Sequence, residues 1–344
     1  MKIVVASTQY PYYGGAATNS YALLKYLRSY NHEVAGIFFE PQRVNVDPDK
    51  IGGIWRIDIG NSKAATTKRV IANYLGGYPD MVLGKNYAAP IHAKKIFPDS
   101  RIIYLVTGSP QMTQLSEKNI SATKHLSSKA KGFRFEPEHR CIMHSDVVIP
   151  NSPIARRMLI KNYGPIGKIY SPIDTSLAFN NRISSNKPFE TRQYDIAFIC
   201  SNMNRKVKNA PLAKKLFNDP RLKNFNKVAV GNNSAPFGKI KNTVIHNLLP
   251  QKKMISILED TKVVICPSFY DASPNIIKEA IMSGCNVLAS KNCGWSENYP
   301  KEFICSDIYK QPEWAIKCLY LINNEVNHNF KFDKKKLITD INNL

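Results

Sequence analysis

The sequence is short of acid. Against 48 lysines and arginines it has 26 aspartates and glutamates, a formal charge of +22 over 344 residues. That excess excludes no fold, but it selects partners: nucleotide phosphates, anionic lipid surfaces or nucleic acid. Asparagine is abundant too, so biased composition with a well-solvated surface accounts for the same number. Long apolar runs are missing, and nothing approaches the length of a membrane-spanning helix. Met1-Lys2 leads straight into Ile3-Val4-Val5-Ala6, which is too short for the apolar region of a leader and reads as a first strand. Metal-type cysteine spacing is also absent. The seven cysteines, at 141, 200, 266, 285, 293, 305 and 318, include no CxxC. Their odd number, with several in strand-like runs, points to buried reduced thiols in a cytosolic setting. His139, Cys141 and His144 lack a fourth ligand at a recognisable spacing, so no metal site is assigned.

What is present is enough chain for two α/β domains, at an ordinary 43% hydrophobic and 22% charged, with room for two cores. The most informative stretch runs from Ser268 to Gly284. Residues 262–266 read as a buried parallel strand. Ser273 suits a helix N-cap, Pro274 the first helical position and Gly284 the left-handed residue that ends the helix. The helix N-terminus at the carboxyl edge of such a sheet favours a phosphate. Asp271 and Glu279 bracket the turn, and acids beside a phosphate cradle suit sugar or ribose hydroxyls. An ordinary turn with two solvated acids fits the spacing equally well.

Along the chain, residues 3–7 form a strand followed by a loop containing Gly14-Gly15, where backbone can approach a ligand closely. The loop is not GxGxxG, so no dinucleotide fingerprint is assigned. Strands are expected at 33–39, 54–59, 81–83, 101–106, 146–150 and 168–170, alternating with helices. Residues 111–140 are basic and suit either an acceptor loop or a solvated surface. A Pro/Ser/Asn-rich stretch marks a linker at 173–192. This divides the chain into 1–172, a second α/β domain at 193–323 and a tail at 324–344. In the second domain, strands are expected at 195–200, 227–230, 243–246, 262–266, 286–290 and 302–305. Its first loop carries Arg205 and Lys208.

Taken together, these features resemble the GT-B glycosyltransferases of the retaining glycosyltransferase family 4. The residues that carry the resemblance are the early glycine loop, Pro79-Asp80-Met81-Val82, Ser145-Asp146-Val147-Val148-Ile149-Pro150-Asn151-Ser152, and Asp271-x7-Glu279 followed by Ala280 and Gly284. Asp271 stands where the family usually has Glu. Thr107-Gly108-Ser109 stands where the family often has a histidine.

The resemblance implies an α/β fold of two Rossmann-like, doubly wound domains facing a cleft, the first on the acceptor side and the second binding a nucleotide sugar. It implies that Arg205 and Lys208 hold the donor diphosphate, that Asp271 contacts the donor sugar and that Glu279 holds the ribose. Ser273, Asn275 and Ile276 fall on the phosphate-facing turn, Leu248 and Leu249 at the base, and Gly14 and Gly15 beside the donor. No metal or cofactor is implied beyond a UDP- or GDP-sugar, because two cations and a helix N-terminus can meet the leaving group's charge. The implied reaction is sugar transfer with retention to a glycan or lipid-linked glycan, in the cytoplasm or at a membrane surface. A modified base in DNA is a lower-ranked acceptor, since no aromatic-interleaved basic motif is present. A nucleotide-binding protein without transfer activity and a sugar epimerase are other outcomes for the same scaffold.

Overall fold

The computed structural model describes residues 1–8, 15–40, 52–58, 64–86, 88–108, 136–174, 187–327 and 334–343. Gly14, most of the basic 111–140 stretch and most of the 173–192 linker lie outside the described residues. The described residues form two units, one from residues up to 174 with a helix at Lys334–Asn342, the other from 187–327.

The first unit alternates β1 (Lys2–Ser7), α1 (Gly15–Arg28), β2 (Glu33–Glu40), β3 (Ile54–Asp58), α2 (Ala64–Tyr74), β4 (Met81–Lys85), α3 (Ala89–Ile96), β5 (Arg101–Val106), α4 (Glu136–His144), β6 (Val147–Pro150) and α5 (Pro153–Tyr163). The strands pair in parallel in the order β3-β2-β1-β4-β5-β6. Helices on both faces explain why β1 reads as a continuous apolar run. Ile3 and Val5 enter one core with Leu23, Leu24 and Leu27 of α1, while Val4 and Ala6 enter the opposite core with Ile71 and Ala93. α5 starts where Pro153 needs no N–H partner and Ser152 Oγ accepts from Ala155 N at 3.3 Å.

The second unit runs β7 (Tyr194–Asn202), α6 (Ala210–Phe217), β8 (Lys227–Asn232), β9 (Thr243–His246), α7 (Gln251–Glu259), β10 (Thr261–Cys266), α8 (Asn275–Met282), β11 (Asn286–Ser290), β12 (Ile304–Cys305) and α9 (Gln311–Asn323). Its strand order is β12-β11-β10-β7-β8-β9, again all parallel. Numbered within its own unit, each sheet has the order 3-2-1-4-5-6. The winding direction therefore reverses between β1 and β4 in one unit and between β7 and β10 in the other. The carboxyl side of such a reversal is where open α/β sheets bind ligands.

α10 (Lys334–Asn342) carries Leu337, Ile338 and Ile341 into the α1-side core of the first unit. No helix among the described residues is long and apolar enough to cross a membrane.

Aspartates pin the amino edges of both sheets. Asp80 accepts from the backbone N of Lys2 at 2.8 Å, Asp146 from that of Ile102 at 2.7 Å and Asp195 from that of Asn226 at 2.8 Å.

Three expected elements differ. Residues 168–170 form a single bridge, Ile169 to Val148, because the chain turns away after one pairing. The strand expected at 302–305 is reduced to its last two residues, Ile304–Cys305, since Pro300 begins a 3-10 turn over Lys301–Phe303. α8 starts at Asn275 rather than at Pro274, and Ser273 does not cap it. The Ser273 hydroxyl instead accepts from the buried Lys278 ammonium at 3.0 Å.

Candidate functional site

At the reversal point of the second unit, the loops after β7 and β10 meet. Phe269 N donates to Val207 O at 2.9 Å and Asn209 Nδ2 to Pro267 O at 3.1 Å. Asn209 stands in the left-handed region at φ 54, a conformation asparagine tolerates, and this lets a 3-10 turn at Lys206–Lys208 run directly into α6. That turn delivers Lys208 to Asp271: Nζ and Oδ2 are 2.5 Å apart, with only 19% and 17% of the two side chains exposed. Burial pulls the lysine down, but the Asp271 carboxylate outweighs it and pushes the ammonium up to about 12. Arg205 is exposed at the head of the same turn, and its charge acts on Lys208 in the opposite sense.

Asp271 is held on its other side by the loop after β11. Its N donates to Asn292 O at 3.2 Å, and its O accepts from Gly294 N at 2.7 Å. Its Oδ1 accepts from Ser273 N at 3.3 Å, which tightens the turn into α8. Asn275 and Glu279 follow one helical turn apart and so share a stripe of α8. Asn275 Oδ1 is buried with no hydrogen-bond partner among the described residues. Among the described residues the half-buried Glu279 carboxylate has no hydrogen bond or ion pair either, and burial pushes it up to about 7. The buried Asn275 oxygen is out of place in a finished interior, where such groups are normally satisfied. Ile276, between them in sequence, is half-buried against the core of the unit.

α8 ends as its sequence predicts. Cys285 N donates to Ala280 O at 2.9 Å and Gly284 N to Ile281 O at 3.0 Å, with Gly284 at φ 74. Arg192 Nη1 grips Gly284 O at 2.8 Å, and a Cβ on Gly284 would stand 2.8 Å from the same guanidinium.

The structure therefore brings Lys208, Asp271 and Ser273 into contact and sets Asn275 and Glu279 on the adjoining helix. Leu248 is exposed and Leu249 half-buried in the segment between β9 and α7. Gly15 is the first residue of α1.

Sequence reasoning missed the polar bridge at the first unit's reversal point. Asn86, just beyond β4 at φ 68, donates through Nδ2 to Thr8 Oγ1 and accepts from Thr107 Oγ1, each at 3.0 Å. An asparagine directly after an apolar strand was the available signal. Glu138 on α4 was also missed. It is fully buried and accepts from Tyr163 OH at 2.7 Å, and burial, opposed by that bond, pushes it up to about 7.

No protein-family model matches this sequence, and no curated protein matches it. Solved structures do. The sucrose-phosphate synthase of Thermosynechococcus elongatus is similar at TM-score 0.67 over 99% of this chain and 97% of that one, with 13% identity. The lipopolysaccharide outer core galactosyltransferase WaaB, in its apo form, is similar at TM-score 0.65 over 95% of this chain and 92% of that one, with 12% identity. HepE of Anabaena in complex with UDP-glucose is similar at TM-score 0.64 over 94% and 93%, with 12% identity. At such identities the likeness is one of fold. Two parallel α/β units of this strand order, matched over nearly the whole chain, give the protein the GT-B fold of glycosyltransferases.

Proposed function

We propose that the protein is a glycosyltransferase that moves a sugar from a nucleotide-sugar donor to an acceptor hydroxyl. The observation that carries this reading is the Lys208–Asp271 pair at the reversal point of the second sheet, with Glu279, which has no partner among the described residues, on the helix that follows. A lysine held fully charged there suits a diphosphate. A carboxylate with no partner among the described residues, about one turn into α8, suits the paired hydroxyls of a ribose.

In this reading the unliganded lysine is occupied by Asp271. A diphosphate carries more charge than one carboxylate, so it draws Lys208 and Arg205 to itself. Asp271 is thereby released to accept from hydroxyls of the donor sugar. The backbone at Ser273, Asn275 and Ile276 faces the phosphates, and Leu249 lies beside the base. As the bond to the sugar breaks, charge grows on the leaving diphosphate, and the two cations and the α8 N-terminus stabilise it where it forms.

The resemblance to glycosyltransferase family 4 supports three finer statements. Transfer proceeds with retention, it needs no metal, and the donor is a UDP- or GDP-sugar. The net charge of +22 supports an acceptor at an anionic surface, a glycan or lipid-linked glycan.

The test is turnover of a panel of nucleotide sugars by protein kept in EDTA. Transfer or slow hydrolysis of at least one is expected, with Lys208→Ala and Glu279→Ala both impaired. Full activity in both variants would overturn the site, and nucleotide binding without turnover across the panel would overturn the activity.

A further inference from the structure

Beneath the Asp271 turn lie two thiols that the proposed reaction does not use. Cys266 is the last residue of β10, and Cys293 sits in the loop after β11. Their sulfurs are 3.7 Å apart, and both residues are buried. Ser268 Oγ lies 3.7 Å from the first sulfur and Ser290 Oγ 3.6 Å from the second. No other two thiols are in contact among the described residues, and all seven cysteines are free.

We propose that Cys266 and Cys293 are an oxidation site: a peroxide joins them as a disulfide, and the closure displaces the backbone that holds Asp271. A disulfide is about 2.05 Å long, so the sulfurs must approach by about 1.7 Å from their 3.7 Å separation. Cys266 is fixed by its register with Ala289 in the middle of the sheet. Cys293 is outside the strands, so the loop makes most of the movement. Its neighbours Asn292 and Gly294 are the two residues whose backbones hold Asp271. The bond is independent of the proposed function; its effect on a donor rests on that reading.

The chemistry is asymmetric. The hydrogen bond with Cys293 holds the Cys266 thiol below its ordinary range against the pull of burial and of the Asp271 carboxylate, with the Lys208 ammonium and the Ser268 hydroxyl helping. Cys293 is pushed up as the other partner of that bond. Burial also raises Cys200, Cys285, Cys305 and Cys318, which leaves Cys266 the better nucleophile. The Cys266 thiolate attacks one oxygen of hydrogen peroxide and breaks the O–O bond. The departing hydroxide takes a proton and leaves as water, and the sulfur becomes a sulfenic acid. Cys293 sulfur then attacks that sulfur and expels hydroxide, which takes the Cys293 proton and leaves as a second water. Two thiols lose two electrons, and one peroxide becomes two waters.

The experiment treats the full chain with equimolar hydrogen peroxide, alkylates remaining thiols after denaturation and maps tryptic peptides. Cys266 lies on Val263–Lys278, Cys293 on Asn292–Lys301, and Cys285 on the peptide in between. The expected product is the first and last joined, about 2 Da lighter than their sum, released by dithiothreitol and absent from Cys266→Ala and Cys293→Ala. In the same oxidised sample, hydrogen exchange should rise at the amides of Asp271 and Gly294. Separate alkylation of both cysteines after peroxide would overturn the proposal, as would a linked peptide with unchanged exchange. Because reduced and oxidised wild type suffice for this decision, a variant that fails to fold does not block it. With UDP-glucose as the probe, oxidation should weaken binding about tenfold or more. Unchanged binding in linked protein would overturn the effect on Asp271. If the reduced protein binds neither UDP-glucose nor any other nucleotide sugar, the proposed function fails, while the linked peptide and the exchange data still decide the oxidation site.

Discussion

The two units share one strand order and differ in what spans the reversal point. In the first, a neutral amide joins two hydroxyls: Thr107 to Asn86 to Thr8, each bond 3.0 Å. In the second, a lysine and an aspartate meet at 2.5 Å. The topology supplies the same place twice, and the side chains set there decide what it can hold. A neutral bridge offers hydroxyl and amide groups of no net charge. The ion pair offers a cation to an anion and, once that cation is taken, a free carboxylate to a polyol.

The sharpest way to break this contrast is to remove the cation. Lys208→Ala should cut turnover of a nucleotide sugar by about 10²–10³, the usual loss for one group aimed at developing charge. Steady-state kinetics would measure it, and a loss of only a few-fold would remove Lys208 from the machinery.

The next contrast lies in two carboxyl groups that burial raises to about 7, one in each unit. Glu138 is fully buried in the first unit. Folded protein holds its proton up to about pH 7, whereas unfolded chain releases it near the ordinary 4.5. Its stabilising contribution is therefore complete below pH 4.5 and is lost as pH rises to 7, a change on the order of 3 kcal/mol. Denaturant melts of wild type and Glu138→Gln across that range should show this fall only in wild type; parallel curves would refute the assignment.

Glu279 sits at the proposed ligand site instead, and its protonation should appear in binding. A carboxylate accepts from ribose hydroxyls better than a carboxylic acid does. Nucleotide affinity should therefore rise by about tenfold between pH 6 and 8, and Glu279→Gln should flatten the curve. Calorimetry across that range makes the comparison.

The smallest effect is expected at the neutral bridge. Asn86→Ala should cost the first unit about 1 kcal/mol, the net worth of a hydrogen bond, and leave nucleotide affinity unchanged. A loss of nucleotide affinity would mean that the two reversal points are not the separate devices drawn above.

Much of this was legible in the residues. Continuous apolar strands alternating with helices gave the doubly wound sheets, because burial on two faces leaves no polar alternation to confuse the pattern. The C-terminus of α8 was legible because Gly284 must adopt positive φ. Its start was not, because serine caps by default, and the rival claim on Ser273 comes from Lys278, whose buried ammonium needed an acceptor. The proximity of Lys208 and Asp271 was implied only by resemblance, since sixty-three positions separate them and a fold is needed to close that gap. Asp80 and Asp146, read as parts of family motifs, serve the sheet by receiving backbone amides. The Cys266–Cys293 contact had no sequence signal, because it arises from two neighbouring strands and the depth of a loop.

α10 has a consequence for how the molecule is made. Leu337, Ile338 and Ile341 complete the core that Leu23, Leu24 and Leu27 begin. A ribosome therefore releases the whole second unit before it supplies the segment that finishes the first. Until residues 334–342 emerge, the nascent first unit lacks three apolar side chains of this core and leaves part of it uncovered, a surface for chaperones to shield, while the second unit is already free to close around Trp314.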